Sequence, residues 1–249
     1  MQALTEKPCP SRLTFSPSQD PTGPVCLIHL RRVREPVSRS KAGVQGKVAD
    51  VISGRSRHAE SLNELQAFRV LLATAHADGW QEQPFTLEYH HAEKKRRYTP
   101  DLLVVWGTHR EVVEIKEDSE ADLPENHTRF ALIRELLAEH GYHFRLWKKS
   151  EICAEPRLTN AGLVLRYRSV EVPAVEREKI RYAFSTGPEV RLHTFRETPG
   201  VTLQSVLRLV LDGTLHIDWW EPLTQASRVS IIPIGRQVWP CPAQESYFV

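Results

Sequence analysis

The sequence lacks several features that would place it in a specialised class of protein. It contains no apolar run of the about 18 to 20 residues that a membrane-spanning helix needs. Residues 1–8 include no apolar segment of the signal-peptide type. The four cysteines (Cys9, Cys26, Cys153 and Cys241) lie far apart and form no zinc-binding spacing. We therefore expect no association with a membrane, no secretion and a reducing, cytoplasmic location.

The charge is distributed unevenly over 249 residues whose net charge is only +2. Residues 1–57 carry a net charge of +6, residues 58–156 carry −6 and residues 157–249 carry +2. An acidic centre between basic ends is typical of a metal-dependent site that acts on a polyanion. The composition, 41% hydrophobic and 26% charged, is that of a globular protein with one or two domains.

The chain is predicted to have three parts. Residues 1–57 form a basic, partly flexible N-terminal arm with a possible strand at 25–30. Its densest basic cluster is Arg31, Arg32 and Arg34, which either contacts phosphates or is simply solvated. Residues 58–156 form the central domain, and residues 157–249 form a smaller C-terminal domain with a tail.

The central part alternates helical and extended patterns. Apolar spacing predicts a helix from Ala59 that ends at Gly79, and a second helix around residues 130–137 that ends at Gly141. Residues 90–97 read as a polar turn and residues 117–127 as an acidic loop. Strands are predicted at residues 85–89, 102–106, 111–116 and 142–147. This order predicts an α/β layer arrangement with a mixed sheet flanked by helices.

The C-terminal part begins with a predicted connector over residues 150–170. Helices are predicted at 175–184, 191–196 and 203–211, followed by strands at 215–219 and 229–232. Thr202 is positioned to cap the third helix, and Gly213 to end it. Three helices followed by a β-hairpin is the order of a winged helix-turn-helix domain.

The most informative residues lie in the central hairpin. If residues 102–106 and 111–116 pair about a turn at Thr108-His109, Asp101 lies opposite Lys116 and Leu103 lies opposite Glu114. Because side chains alternate along a strand, Asp101, Glu114 and Lys116 then share a face. Two converging carboxylates predict a Mg²⁺ site, for which Mn²⁺ could substitute. Lys116 would orient or deprotonate water, or neutralise the transition state.

A third acid is expected from the preceding helix. Glu64 lies one turn before Phe68, at the margin of the apolar face, and Glu60 is the competing candidate. We predict Glu64, Asp101 and Glu114 as metal ligands and, with Lys116, as the catalytic residues. The structural alternative is a charged hairpin that faces solvent.

Further residues are candidates for contact with DNA. Lys94, Lys95, Arg96 and Arg97 precede Asp101 and either contact phosphates or form a solvated turn. Arg191, Arg196 and Arg208 are candidates in the C-terminal part. Gln83 either lies near the predicted metal site or has a structural role. His90 and His91 point to opposite faces, which argues against a shared metal.

These motifs, taken in order, resemble the TnsA-type transposon-end endonucleases. The resemblance rests on residues 60–64, 81–85, 98–101 and 113–116, with further similarity at 157–160, 167–168 and 207–218. It covers roughly residues 44–232. It departs at Asn63 and Leu65, where the family usually has a bulky residue and an arginine.

The resemblance implies a restriction-endonuclease-like core and a DNA-binding-like C-terminal domain. It further implies a Mg²⁺-dependent subunit of a heteromeric transposase that cleaves the 5′ ends of a transposon in cut-and-paste transposition. Its partners would be transposon-end DNA, a strand-transferase subunit and an ATP-dependent regulator, at the nucleoid of a bacterial cell. The alternatives are another nuclease of the same fold, in restriction, repair or junction resolution, and a non-catalytic winged-helix DNA-binding regulator.

Overall fold

The computed structural model describes residues 11–15, 46–50 and 55–239 of the chain. The predicted strand at 25–30 and the basic residues Arg31, Arg32 and Arg34 lie outside the described residues. The strands are β1 (Arg12–Phe15), β2 (Gly46–Asp50), β3 (Arg55–Ala59), β4 (Gly79–Glu82), β5 (Phe85–His91), β6 (Lys94–Tyr98), β7 (Leu102–Trp106), β8 (His109–Lys116), β9 (His143–Lys148), β10 (Glu189–Arg191), β11 (His216–Ile217) and β12 (Arg228–Ser230). The helices are α1 (Leu62–Thr74), α2 (Asp118–Ala121), α3 (Pro124–Glu139), α4 (Lys149–Ile152), α5 (Arg157–Leu165), α6 (Ala174–Tyr182), α7 (Leu192–Glu197) and α8 (Leu203–Leu211).

The chain divides into two compact units that are discontinuous in sequence. Among the described residues, the first unit contains 11–15 and 77–147, and the second contains 46–50, 55–76 and 148–239. A compact unit need not be an independently folding domain. The predicted division at residues 57 and 156 therefore stays a prediction.

The first unit contains two sheets. One has the order β4-β7-β8-β9, in which β7 is antiparallel to both β4 and β8. The other has the order β1-β5-β6 and is antiparallel throughout. The two sheets share a core to which β5, β6, β7, β8 and α3 all contribute. Its members are Phe85, Leu87, Tyr89, Tyr98, Leu103, Val105, Val112, Ile133, Leu136, Leu137 and Tyr142. The predicted α/β class is confirmed.

The register of β7 and β8 differs from the predicted one by two residues. Leu102 pairs with Val113 and Trp106 with His109, so the turn consists of Gly107 and Thr108 alone. Gly107 has φ +54°, a left-handed conformation that glycine adopts without the strain of a side chain. The predicted turn at Thr108-His109, with Asp101 opposite Lys116, is therefore wrong. All five residues of β7 are buried, so both faces of this strand are covered.

Residues 90–97 form a β-hairpin, not the predicted polar turn. β5 extends to His91, and β6 returns from Lys94 through a two-residue turn at Ala92 and Glu93. Other predicted bounds of helices and strands also differ from those in the structure. α1 ends at Thr74, and Gly79 begins β4, where its backbone pairs with Val105. Within the predicted acidic loop lie α2 and the start of α3, whose end at Gly141 is confirmed by φ +76°.

In the second unit the predicted connector over residues 150–170 is helical. α5 carries Asn160, whose buried side chain fixes a loop 60 positions later by three hydrogen bonds. Its Nδ2 donates to the carbonyls of Trp219 (3.1 Å) and Glu221 (2.8 Å), and its Oδ1 accepts from the N–H of Leu223 (3.1 Å). Because all these polar groups are paired, their burial is not penalised.

The last helices and strands follow the predicted order. Thr202 caps α8 by accepting a hydrogen bond from the N–H of Ser205 at 3.2 Å. Gly213 ends the helix with φ +75°, and the N–H of Thr214 donates to the carbonyl of Leu209, as in a Schellman motif. β12 lies between β10 and β11 in a three-stranded sheet, of which β10 was not predicted.

Within the residues that the structure describes, no helix has both the length and the apolar character needed to cross a membrane.

Candidate active site

Asp101 and Glu114 lie opposite each other at one end of the β7-β8 ladder. The pair Leu102 and Val113 is the last of the ladder, and the same register continued by one residue places Asp101 across from Glu114. The N–H of Ile115 donates to Oδ2 of Asp101 at 2.7 Å, which ties this carboxylate to β8. The predicted sharing of a face survives the error in register because a shift of two residues preserves the alternation of side chains.

Glu114 is a buried carboxylate held by two neighbours. Only 5% of the residue is exposed. The hydroxyl of Tyr98 donates to its Oε2 at 2.8 Å, and Nζ of Lys116 lies 3.0 Å from its Oε1. Burial of an ionised carboxylate is tolerated when it is paired and hydrogen-bonded in this way.

The surroundings keep Tyr98 and Lys116 protonated. Burial, followed by the negative charges of Glu114 and Asp101, raises the pKa of the Tyr98 hydroxyl well above its usual value. For Lys116, burial acts to lower the pKa, but the charge and hydrogen bond of Glu114, with Asp101 and Glu120, outweigh it and raise the pKa. Lys116 is thus an ammonium group, which favours the charge-neutralising role over that of a base.

Tyr98 was not singled out as a functional residue from the sequence. It ends a run of four basic residues and lies three positions before Asp101. The signal that could have identified it is the isolated aromatic residue in an otherwise exposed strand, since β6 buries only this side chain. A buried tyrosine hydroxyl needs a hydrogen-bond partner, and the nearby carboxylates were the candidates.

Gln83 contacts the backbone of Asp101. Its N–H donates to the Asp101 carbonyl at 2.9 Å, and its φ of +42° bends the chain between β4 and β5. The residue is buried and follows two other buried polar residues, Gln81 and Glu82. Nε2 of Gln81 donates to the carbonyl and to Oε2 of Glu82, at 2.8 and 3.0 Å. The hydrogen bond to Asp101 places the backbone of Gln83 beside the site.

Glu64 belongs to the second unit, where it forms a variant of the capping box at the start of α1, with its carboxylate bound to the N–H of the residue before the N-cap. Ser61 accepts from the N–H of Glu64 at 3.1 Å, and Oε2 of Glu64 accepts from the N–H of Glu60 at 2.9 Å. The sequence Ser-Leu-Asn-Glu has the spacing of this motif. The structure therefore assigns Glu64 a role in the helix terminus, while its role as a third acid, like that of Glu60, stays a prediction.

The carboxylates of the first unit are of the type that binds Mg²⁺. Among the described side chains, no group of three or more histidine, cysteine, aspartate or glutamate residues is placed to hold a metal ion. Asp101 and Glu114 nevertheless offer two carboxylates on adjacent strands. Mg²⁺ is commonly held by one or two carboxylates, with waters and substrate phosphates as the other ligands. The donor set therefore fits a hard divalent cation.

The basic cluster on β6 is divided between two faces. Lys95 and Arg97 lie on the face of Glu88, where Nζ of Lys95 is 3.0 Å from Oε2 and Nε of Arg97 is 3.3 Å from Oε1. The hydrogen bond from Lys95, with the charges of Arg97 and Arg12, lowers the pKa of Glu88. Lys94 and Arg96 alternate with these residues, are exposed, and have no ion pair or hydrogen bond with the part of the chain that is described.

The other predicted basic residues lie in the second unit. Arg191 and Arg196 are exposed, and Arg191 donates from Nη1 to the carbonyl of Ala226 at 2.7 Å. Arg208 forms an ion pair with Asp212 on the last turn of α8. His90 and His91 are exposed at the end of β5, and their contribution to a metal site is not expected.

One segment of the chain matches a known protein family. Residues 76–149 match the family described as "TnsA-like endonuclease N terminal". This TnsA-like segment (residues 76–149) contains Asp101, Glu114 and Lys116 but not Glu64. The resemblance inferred from the sequence is confirmed for this segment, which is less than a third of the chain.

The remaining comparisons add little. No curated protein matches the chain. One of the solved structures that match is "Crystal structure of protein VC1899 from Vibrio cholerae", with 12% identity and a TM-score of 0.25. The match covers 36% of this chain and 29% of that chain, so the alignment spans less than a third of the solved protein's length.

We predict that Tyr98→Phe destabilises the protein by about 1–3 kcal/mol, because the buried Glu114 carboxylate loses a hydrogen-bond donor. Denaturant unfolding of the two proteins measures the difference. Tyr89→Phe is the matched control: Tyr89 is buried in the same core, but its hydroxyl makes no hydrogen bond within the described residues. Equal destabilisation in the two variants would contradict a specific role for the Tyr98 to Glu114 hydrogen bond.

Proposed function

We propose that this chain is a divalent-cation-dependent DNA endonuclease that acts as a subunit of a heteromeric transposase. The observation that carries the proposal lies inside the TnsA-like segment: Asp101 stands across from Glu114, and the Glu114 carboxylate contacts Lys116. A nuclease of the transposase endonuclease type is what the family match supports. The metal, the strand that is cut and the partners are our inference.

Each residue of the first unit has a distinct part in this proposal. Asp101 and Glu114 would hold Mg²⁺ or Mn²⁺, which when bound would activate water and neutralise charge on the scissile phosphate. Tyr98 fixes the orientation of Glu114 through the 2.8 Å hydrogen bond. Lys116, held 3.0 Å from Glu114, would place its ammonium group beside the phosphate, where negative charge grows in the transition state.

The finer features of the proposal come from the resemblance. The chain would cut the 5′ ends of a transposon at the nucleoid, while a separate strand-transferase subunit cuts the 3′ ends and an ATP-dependent regulator directs the complex to its target. The order α6, β10, α7, α8, β11, β12 supports a winged-helix-like DNA-binding role for the C-terminal part. Glu64 remains our candidate for a third acid.

We expect Asp101→Asn to abolish cleavage while the protein stays folded. Asparagine keeps an oxygen that can accept the hydrogen bond from the Ile115 N–H, but it removes the charge that a cation requires. The substrate is DNA with a mapped element end, incubated with Mg²⁺ in the presence and absence of the strand-transferase, and the cut strand is mapped on a denaturing gel. A folded variant that cuts the 5′ end at the wild-type rate within the full transposase would refute the assignment.

We expect Lys94 and Arg96 to contribute more to DNA binding than Lys95 and Arg97. Removing one cation that binds a phosphate should reduce the slope of log K against log salt by about 0.9, so Lys94→Ala with Arg96→Ala should reduce it by about 2. The matched variant, Lys95→Ala with Arg97→Ala, removes the same charge from the same strand. Because Glu88 already neutralises part of that charge, this variant should reduce the slope less.

Fluorescence anisotropy of a labelled DNA duplex at several salt concentrations measures both slopes. Glu88→Gln, which releases Lys95 and Arg97, should strengthen binding. Equal slopes for the two double variants, or a larger reduction for Lys95 and Arg97, would contradict the division of the cluster.

A further inference from the structure

Arg129 is an exposed cation on α3 beside the candidate active site. Its guanidinium carbon lies 5.9 Å from the ring centre of Tyr98 and 5.6 Å from that of Phe130. Both distances are within the range of a cation–π contact. The guanidinium is therefore held at the ring whose hydroxyl donates to Glu114.

The guanidinium of Arg129 makes no hydrogen bond or ion pair within the described part of the chain. Arg129 shares this property with Lys94, Arg96 and Arg134, whereas three other cations of the unit are engaged: Lys116 with Glu114, Arg97 with Glu88, and Arg145 with Glu111. All five N–H donors of Arg129 are thus available to a ligand, and the packing against the aromatic rings limits the positions that they occupy.

The carboxylates of the site repel an anionic ligand. Such a ligand can therefore bind there only if further cations lie nearby. Asp101 and Glu114 carry two negative charges, and Lys116 compensates one of them. A DNA phosphate that approaches these carboxylates is repelled until positive charge is supplied. The planar guanidinium of arginine matches two oxygens of a phosphate, which a lysine ammonium does not.

We propose that Arg129 binds a phosphate of the DNA strand that is cut and positions it over Asp101 and Glu114. This inference rests on the proposed function and deepens it, since it names a phosphate-binding residue outside the carboxylate and lysine set. Arg129 acts here as a positioning residue, and its hydrogen bonds to the phosphate are charge-assisted.

Arg134 provides a matched control on the same helix. It is exposed, its guanidinium carbon lies 5.5 Å from the ring centre of Phe144, and it has no hydrogen bond or ion pair with a described residue. Arg134→Ala and Arg129→Ala therefore remove the same charge and the same type of ring interaction from α3. Only Arg129 lies at the tyrosine that holds Glu114.

The test compares the full-length wild type with Arg129→Ala, Arg129→Lys and Arg134→Ala in two assays. The first measures binding to a short DNA duplex in Ca²⁺ at several salt concentrations. The second measures Mg²⁺-dependent nicking of DNA with a mapped element end in the presence of the strand-transferase. Arg129→Ala should reduce the salt slope by about 0.9. It should also lower the nicking rate by about 10- to 100-fold, the reduction expected when hydrogen bonds to a charged group are removed.

Arg129→Lys should restore the salt slope but only part of the nicking rate, and Arg134→Ala should change neither. Thermal unfolding of each variant shows whether a reduced nicking rate reflects misfolding. If Arg129→Ala is destabilised, the comparison of Arg129→Lys with the wild type decides the test. A salt slope and nicking rate like those of the wild type in Arg129→Ala, or equal reductions in Arg134→Ala, would overturn the inference. If the wild type binds DNA but does not cut it even with the strand-transferase present, the proposed function fails, while the salt slope still decides whether Arg129 binds a phosphate.

Discussion

The two-residue turn at Gly107 and Thr108 determines which residues of β7 and β8 lie opposite each other. Trp106 pairs with His109 at the turn, and Leu102 pairs with Val113 at the far end of the ladder, so the same register continued by one residue places Asp101 across from Glu114. The site is therefore assembled by backbone hydrogen bonds within one hairpin. Because both faces of β7 are buried, a shift in this register would move core side chains as well as carboxylates, so the packing stabilises the geometry of the site.

Around this pair the structure supplies neighbours that make a buried carboxylate tolerable. Tyr98 comes from β6 and Lys116 from β8, while the backbone N–H of Ile115 binds Asp101. The core beneath these residues includes Tyr98 itself, together with Leu103 and Val112. The residues that form the site and those that form the core are thus neighbours on the same strands, and substitution of one affects the other.

Much of the site could be predicted because it depends on alternation along strands and not on exact pairing. The common face of Asp101, Glu114 and Lys116 was predicted correctly although the turn was placed one residue too late. By contrast, β6 was missed because four consecutive basic residues give no alternation of hydrophobicity. Its turn consists of Ala92 and Glu93, which adopt φ values of +49° and +59° that such turns usually assign to asparagine or glycine. Tyr98 could be recognised only once β6 was known to be a strand. Glu64, in contrast, was singled out from the sequence, but its sequence context is compatible with both a capping box and a catalytic acid.

The central claim is that Asp101 and Glu114 together bind the divalent cation that cleavage requires. Anomalous diffraction from a crystal of the chain soaked in Mn²⁺ tests this most directly, because it locates the ion without reference to activity. We predict a Mn²⁺ ion with a carboxylate oxygen of each residue about 2.0–2.2 Å away, the range of metal–oxygen bonds for small divalent cations. A Mn²⁺ ion bound elsewhere, with neither carboxylate as a ligand, would contradict the account.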